Sequence, residues 1–148
     1  MQGGFADRAS LALGPNNRPL CRWCNLEIPP RRRTFCSDFC VHEWRLRTDP
    51  GYLREQVFER DKGICALCQT DTHRAFLELK KSRGTFKLKL LDRWGLKKLN
   101  RKSLWDADHI VPVVEGGGEC DLANIRTLCL PCHKQETEKL RRRLLARP

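Results

Sequence analysis

Two stretches of the chain carry apolar residues at the spacing of an amphipathic helix. The first begins at Asp49 and Pro50, residue types favoured at the N-cap and the first turn, and extends to about Arg60. The second begins at His133 and places three further residues on the same face, three or four positions apart. Those residues are Thr137, Leu140 and Leu144. We therefore predict one helix over residues 50–60 and another from residue 133 onward.

Two short apolar runs before the second predicted helix have the length of strands. One lies within Trp105–Val114 and the other within Ile125–Leu130, and the glycines at 116–118 fall between them. Consecutive glycines favour a loop, so the order from residue 105 onward is strand, loop, strand and helix. Phe86–Leu90 alternates apolar and basic residues, which predicts a further strand.

The 148 residues provide room for one ordinary domain or for two small zinc modules. We expect a flexible tail over residues 1–20, a cysteine-rich module over 21–47 and a second domain over 48–148. No run of 18 apolar residues occurs, which argues against a membrane-spanning helix. No signal-peptide pattern occurs at the N-terminus, so we expect reduced cysteines that bind metal rather than form disulfides.

Eight of the nine cysteines fall into four close pairs, enough for two tetrahedral zinc sites. Cys65 and Cys68 form one CxxC pair, and Cys129 and Cys132 form another some sixty residues later. Together they predict a closed structural zinc site, whereas redox-active or free thiols are the alternative interpretation. Cys120 belongs to no pair, and its role stays open.

The remaining two pairs lie within twenty residues of each other and predict a small four-cysteine zinc finger. Its ligands would be Cys21, Cys24, Cys36 and Cys40, with His42 as an alternative to Cys40. So small a unit cannot build a sufficient hydrophobic core, and metal binding would decide whether it folds. Three arginines at 31–33 lie between the pairs, either as a solvated charge run or as a phosphate contact.

The chain is basic, with a formal charge of +11 that falls to about +7 once eight thiolates and two zinc ions are counted. Much of this charge lies in residues 70–104, a basic insert with eleven Lys or Arg and two acids between Arg74 and Leu104. Such a segment favours a DNA backbone as partner. We expect phosphate contacts from Lys87, Lys89, Arg93, Lys97, Lys98, Arg101 and Lys102.

The end of the first predicted strand carries the strongest indication of chemistry, because Asp108 directly precedes His109 there. A second histidine, His133, directly follows Cys132, so zinc bound at that cysteine would fix its position. Two further polar residues complete the set, namely Asp106 and Asn124. A carboxylate and two imidazoles tied to fixed elements can hold a divalent ion and accept a proton.

In this order the motifs resemble the HNH endonucleases, also called ββα-metal nucleases, over about residues 50–146. The matching segments are 60–65, 108–112, 116–118 and 128–133, together with Asn124. The resemblance implies an α+β fold, namely a small zinc-stabilised ββα-metal nuclease domain preceded by the four-cysteine finger. It also implies hydrolysis of DNA phosphodiester bonds that leaves 5′-phosphate and 3′-hydroxyl ends.

By the same resemblance, His109 would be the general base, and Asp108 and His133 would hold one catalytic divalent ion. Asn124 would fix the strand that bears the base. Asp106 matches an acidic position often seen just before the Asp-His pair, and a hydrogen bond that orients His109 is one option for its role. Some family members have a third histidine ligand at the position of Thr137. Two protein ligands leave room for water and phosphate, which favours Mg²⁺ or Mn²⁺ over zinc at this site. We therefore expect two structural zinc ions and one catalytic Mg²⁺ or Mn²⁺.

The resemblance extends to HNH regions at the C-terminus of larger ATP-driven DNA translocases. It implies a nuclear protein that acts on double-stranded or branched DNA, and we expect a monomer that does not bind membranes. A catalytically inactive, zinc-stabilised DNA-binding module is the alternative function. A protein-binding cross-brace would need zinc-ligand pairs interleaved at shorter spacing than Cys68 and Cys129 provide.

Overall fold

A computed structural model describes residues 6–118 and 121–146, and Cys120 lies outside these ranges. The described chain divides into two compact units, residues 6–54 with Asp121 and residues 55–118 with 122–146. Within the described ranges, no helix is both long and apolar enough to cross a membrane. The boundaries that we drew from the sequence at residues 20 and 47 stay predictions.

The first unit contains short extended segments followed by a helix. Its isolated bridges pair Leu13 with Pro19 and Leu20 with Glu27, and a single-turn 3-10 helix lies at Arg8–Ser10. Helix α1 covers Asp38–Thr48, and the Ser37 side chain caps it by accepting a hydrogen bond from the Cys40 amide. Cys21, Ile28 and Cys40 form its small buried cluster, and Leu46 on α1 is buried as well.

Helix α2 covers Pro50–Asp61, which confirms the helix predicted from the sequence. The predicted cap is also present, because Asp49 Oδ1 accepts a hydrogen bond from the Tyr52 amide at 3.0 Å. At the other end, Asp61 Oδ2 accepts a hydrogen bond of 2.8 Å from the buried Thr127 hydroxyl. Arg60 donates to the main-chain carbonyls of Leu122 and Ile125, both at 2.6 Å.

The basic insert consists largely of two helices, α3 over Thr72–Lys81 and α4 over Gly84–Arg93. The strand predicted at Phe86–Leu90 is therefore wrong, because these residues lie inside α4. The helix buries Leu91, whereas Phe86 and Leu88 are exposed, so the alternation that suggested a strand does not match the buried face. The insert packs into the main core of the unit through Leu79, Leu91 and Trp94.

Two antiparallel strands and a long helix follow the insert. Strand β1 covers Trp105–His109, strand β2 covers Ile125–Cys129, and helix α5 covers Leu130–Leu145. The register places Asp108 opposite Arg126 and His109 opposite Ile125. The predicted order of strand, loop, strand and helix is confirmed, although α5 begins three residues before His133. With the two cysteine groups described next, the predicted α+β fold class is confirmed.

Candidate metal centre and its surroundings

The second cysteine group, Cys65, Cys68, Cys129 and Cys132, joins the start of the insert to the junction of β2 and α5. Its four sulfur atoms all lie within 4.8 Å of one another. Four thiolates at about 2.3 Å from one ion would lie at comparable separations, so the arrangement fits tetrahedral zinc. The turn after Cys65 is also tied to β2, because the Ala66 amide donates to the Thr127 carbonyl at 2.8 Å.

The protonation of this group also fits a cation. A hydrogen bond with the Thr70 hydroxyl, 3.1 Å from the Cys68 sulfur, lowers the pKa of the Cys68 thiol to about 6. Burial instead raises the pKa of the Cys132 thiol to about 11. Four such sulfurs cannot all ionise side by side unless a positive charge is shared among them. The donor set is therefore suited to a soft divalent ion such as zinc.

The first cysteine group, Cys21, Cys24, Cys36 and Cys40, has the same compactness, with all four sulfurs within 4.8 Å of one another. The sulfur of Cys36 lies 3.4 Å from that of Cys24 and 3.4 Å from that of Cys40. His42, which the sequence left as an alternative ligand, places its Nδ1 2.8 Å from the Tyr52 hydroxyl. Cys40 rather than His42 therefore completes this group.

In the second unit, the ring of His133 lies between two carboxylates from β1. Its Nε2 is 3.8 Å from Asp108 Oδ1, and its Nδ1 is 3.4 Å from Asp106 Oδ2. The helix places His133 here because Cys132, its neighbour, belongs to the second cysteine group. Asp106 and Asp108 point to the same side because residues two apart in a strand share a face. The side chain of His133 is 36% exposed, so the site is open to solvent.

His109 lines a small pocket together with Asp108, and the other walls come from β2 and α5. Those walls include Arg126, Glu136 and Thr137, and Thr137 donates its hydroxyl to the His133 carbonyl at 2.9 Å. The structure thus brings the predicted base and one predicted metal ligand into one cavity. Asp106, for which orienting His109 was one option, lies against His133.

Asn124 holds the loop that follows β1. Its Oδ1 accepts a hydrogen bond from the Val111 amide at 2.8 Å, and its Nδ2 donates to the Val111 carbonyl at 2.9 Å. The Asn124 carbonyl accepts from the Ile110 amide at 2.8 Å. Gly117 packs so closely that an added Cβ would lie 1.9 Å from the Val111 carbonyl oxygen. Asparagine and glycine at these positions therefore let the loop return onto the end of β1.

Arg126 is a residue of this site that sequence reasoning missed. Its Nε donates to Asp108 Oδ2 at 3.1 Å, and its terminal nitrogen Nη2 lies 3.0 Å from the Oε2 of Glu136. The hydrogen bond from Lys139, and to a smaller extent the one from Arg126, lowers the pKa of Glu136. Strand pairing could have identified Arg126, because it lies directly opposite Asp108. That register is not visible in the sequence, since a long connection rather than a tight turn joins the strands.

The predicted DNA-binding residues divide into two sets. Arg93 and Arg101 line a cleft together with Asp106, His133 and Lys134. The Arg101 guanidinium donates a hydrogen bond to Asp106, so one of its contacts is internal. The other five residues lie outside the lining of this cleft: Lys89, Lys97, Lys98 and Lys102 are exposed and Lys87 is half-buried.

Comparisons with known proteins agree with this geometry. The family model described as HNH endonuclease matches residues 96–139. The chain is 34% identical over 147 residues to the mouse protein named DNA annealing helicase and endonuclease ZRANB3, and 37% identical over 149 residues to the human one. These matches cover 85% and 86% of this chain but only 14% of each relative, so the chain spans a small part of their length.

A solved structure gives the same result. The crystal structure of the human ZRANB3 HNH domain is 35% identical in sequence and superposes with a TM-score of 0.50. The match covers 95% of that domain and 65% of this chain. Nearly the whole of the solved domain therefore has a counterpart here.

Proposed function

The chain belongs to the HNH endonuclease family, and we propose that it is a metal-dependent DNA endonuclease that hydrolyses phosphodiester bonds. The observation that carries the proposal is the approach of Asp108 Oδ1 to His133 Nε2, at 3.8 Å. Two ligand atoms on one ion at about 2.1 Å each would be separated by roughly this distance or somewhat less. The gap between β1 and α5 is therefore of the size that one divalent ion needs.

Asp108 and His133 are the residues that would hold the ion. One carboxylate and one imidazole leave several positions for water and phosphate, which favours Mg²⁺ or Mn²⁺ over tightly held zinc. When bound, the ion supplies positive charge to a phosphate oxygen and to the departing 3′ oxygen. Asp106 would keep the proton of His133 on Nδ1, which leaves the Nε2 lone pair directed toward Asp108.

His109 is the residue that we assign as general base. The unperturbed pKa of histidine, about 6.5, suits a group that takes a proton from water near neutral pH. The pocket that His109 lines together with Asp108 supports this assignment, because the attacking water would stand next to an ion held by Asp108. Attack at phosphorus opposite the 3′ oxygen leaves a 5′-phosphate and a 3′-hydroxyl. Asn124 would keep His109 in place by holding the loop after β1.

The cleft beside His133 provides a path for the DNA strand. Arg93, Arg101 and Lys134 line it, and each can contact a phosphate next to the scissile one. The exposed lysines of the insert would extend this contact along the backbone. No residue of the insert matches a base-reading motif, so we infer recognition of DNA shape, either duplex or branched, rather than of sequence. We further propose that the chain works in the nucleus, as a monomer and as one domain of a larger translocase.

A nicking assay on supercoiled plasmid with wild type and His109→Ala tests the catalytic assignment. We expect cleavage with Mg²⁺ or Mn²⁺, none with a chelator too weak to remove structural zinc, and a loss of about 10²- to 10⁴-fold in the variant. Its zinc content and thermal unfolding should match those of wild type. Undiminished cleavage by His109→Ala would remove the base assignment. DNA binding by wild type without cleavage under any metal would favour the inactive DNA-binding module instead.

A binding titration tests the role of the insert. Replacing Lys97 and Lys98 by glutamine should weaken DNA binding and reduce the slope of log affinity against log salt by up to about two, because fewer counterions are released. The double variant Arg45→Gln with Lys62→Gln removes the same charge and is the control. These two side chains pair with Asp49 and Glu59 of the protein itself, so we do not expect them to contact DNA. Equal effects of the two double variants would mean that net charge, not a contact surface, governs binding.

A further inference from the structure

We propose that Arg126 is a positioning residue for the proposed metal site. By pairing with both carboxylates, Arg126 makes Asp108 a one-oxygen ligand and keeps Glu136 from becoming a third ligand. The inference rests on the proposed function, because it concerns the same ion. It adds a residue and a reason for weak metal binding that the motif residues alone do not contain.

The geometry divides the two oxygens of Asp108 between two partners. Oδ2 lies 3.1 Å from Arg126 Nε and 3.0 Å from its Nη2, whereas Oδ1 faces His133 Nε2. The side chains of Asp108 and Arg126 are each only 18% exposed, so water competes little for this contact. A charge-assisted pair of this kind fixes the plane of the carboxylate. Asp108 can therefore offer only Oδ1 to an ion.

Glu136 anchors the other side of the guanidinium. It lies on α5 one turn after His133 and lines the pocket of Asp108 and Arg126, and its Oε2 is 3.0 Å from Arg126 Nη2. Without Arg126, this carboxylate would be free to turn toward an ion held by Asp108. With Arg126, both carboxylates are neutralised in part, and a positive charge stands beside the proposed ion. Each effect lowers affinity for a divalent cation.

Weak binding with few protein ligands has a chemical purpose here. An ion held by two protein atoms keeps exchangeable positions for water and for phosphate oxygens. A bidentate Asp108 together with Glu136 would fill those positions. Removing Arg126 should therefore strengthen metal binding and slow hydrolysis, a combination that simple damage to the fold would not produce.

The test measures Mn²⁺ binding to the zinc-loaded protein by electron paramagnetic resonance of the free ion, without DNA. We expect Arg126→Gln to bind Mn²⁺ on the order of tenfold more tightly than wild type, and to cleave more slowly even when Mn²⁺ is saturating. Arg126→Lys keeps the positive charge but loses the planar guanidinium that contacts Asp108 and Glu136 at once. Its Mn²⁺ affinity should therefore stay near that of wild type while its turnover falls. Arg45→Gln, in the first unit, is the matched control and should change neither quantity.

The outcomes separate this inference from the proposed function. If wild type binds Mn²⁺ and cleaves DNA, but Arg126→Gln binds Mn²⁺ equally or more weakly with its zinc content intact, the positioning role is wrong. If wild type neither binds Mn²⁺ nor cleaves, the proposed function itself fails. Glu136→Gln is a second variant that keeps the proposal testable if Arg126→Gln misfolds, because it removes the ion pair that holds the Arg126 guanidinium. Unchanged turnover in Glu136→Gln would also contradict the proposal.

Discussion

The two cysteine groups have the same donors and the same compactness but close very different lengths of chain. The first lies within residues 21–40, and so its metal organises a local segment. In the second, the sulfurs of Cys68 and Cys129 lie 3.6 Å apart although 61 positions separate them in sequence. Closing a longer loop restricts the unfolded chain more, and here the loop contains the whole insert and β1. The same chemistry therefore stabilises a small finger in one place and an entire folding unit in the other.

The two groups also differ in what surrounds them. The first packs with Ile28 as the buried aliphatic residue of its core. The second adjoins a larger core, in which Leu79, Leu104 and Leu128 are fully buried. In addition, α5 begins at the second group and carries His133 directly after Cys132. Only the second group therefore connects metal binding to the candidate catalytic site.

Removing a ligand of the second group should have the largest effect. Cys129→Ser should abolish the folded second unit and all cleavage, because structural zinc contributes about 10 kcal/mol or more in zinc-finger peptides, as much as a whole domain's stability. Zinc content and amide chemical-shift dispersion would measure the loss. Cys120→Ser is the control, since Cys120 belongs to none of the four cysteine pairs and its replacement should leave both zinc ions bound. A folded and active Cys129→Ser protein would mean that the leucine core suffices.

Removing a ligand of the first group should have a smaller and separate effect. Cys36→Ser should release one zinc ion and unfold the first unit, because Cys21, Ile28 and Cys40 cannot form a stable core alone. Cleavage of plasmid DNA should stay within about threefold of wild type, since effects at independent sites are nearly additive. Metal analysis together with the nicking assay gives both quantities. If Cys36→Ser also abolishes cleavage, the two units fold as one, and the contrast between the groups disappears.

The parts of this comparison that the sequence predicted are those with a local pattern. Cysteine pairs at fixed spacing identify both groups, and the strand, loop, strand and helix order follows from apolar runs separated by glycines. The helix α4 was missed because Phe86-Lys87-Leu88-Lys89-Leu90 alternates by chance, while burial falls on Leu91 and Trp94. Burial depends on the core that the second group closes, and no local pattern reveals it.

The residues of the candidate site could be predicted from the sequence, but the contacts between them could not. Asp108, His109, Asn124 and His133 follow from motif spacing. The contact of Asp106 with His133 and the presence of Arg126 depend on which faces β1 and β2 share. A strand's two faces can be assigned from sequence only when one is plainly apolar, and β1 carries two acids on one face.

The smallest expected effect concerns a hydrogen bond of the second unit rather than its metal. Asp61, the last residue of α2, accepts this bond from Thr127 on β2. Asp61→Asn keeps an acceptor for the Thr127 hydroxyl but loses the ion pair with Arg60, so we expect a loss of about 1 kcal/mol in the free energy of unfolding. The hydrogen bond from Arg60 lowers the pKa of Asp61, so its carboxylate stays ionised well below neutral pH. The difference in the free energy of unfolding between variant and wild type should then be constant from pH 8 to about pH 5, and shrink only as the pH falls through the folded-state pKa of Asp61.

Denaturant unfolding of zinc-saturated protein at several pH values measures this difference. A difference that fades between pH 7 and pH 5 would assign the effect to the thiolates of the second group, which bind zinc less well as they protonate, rather than to Asp61.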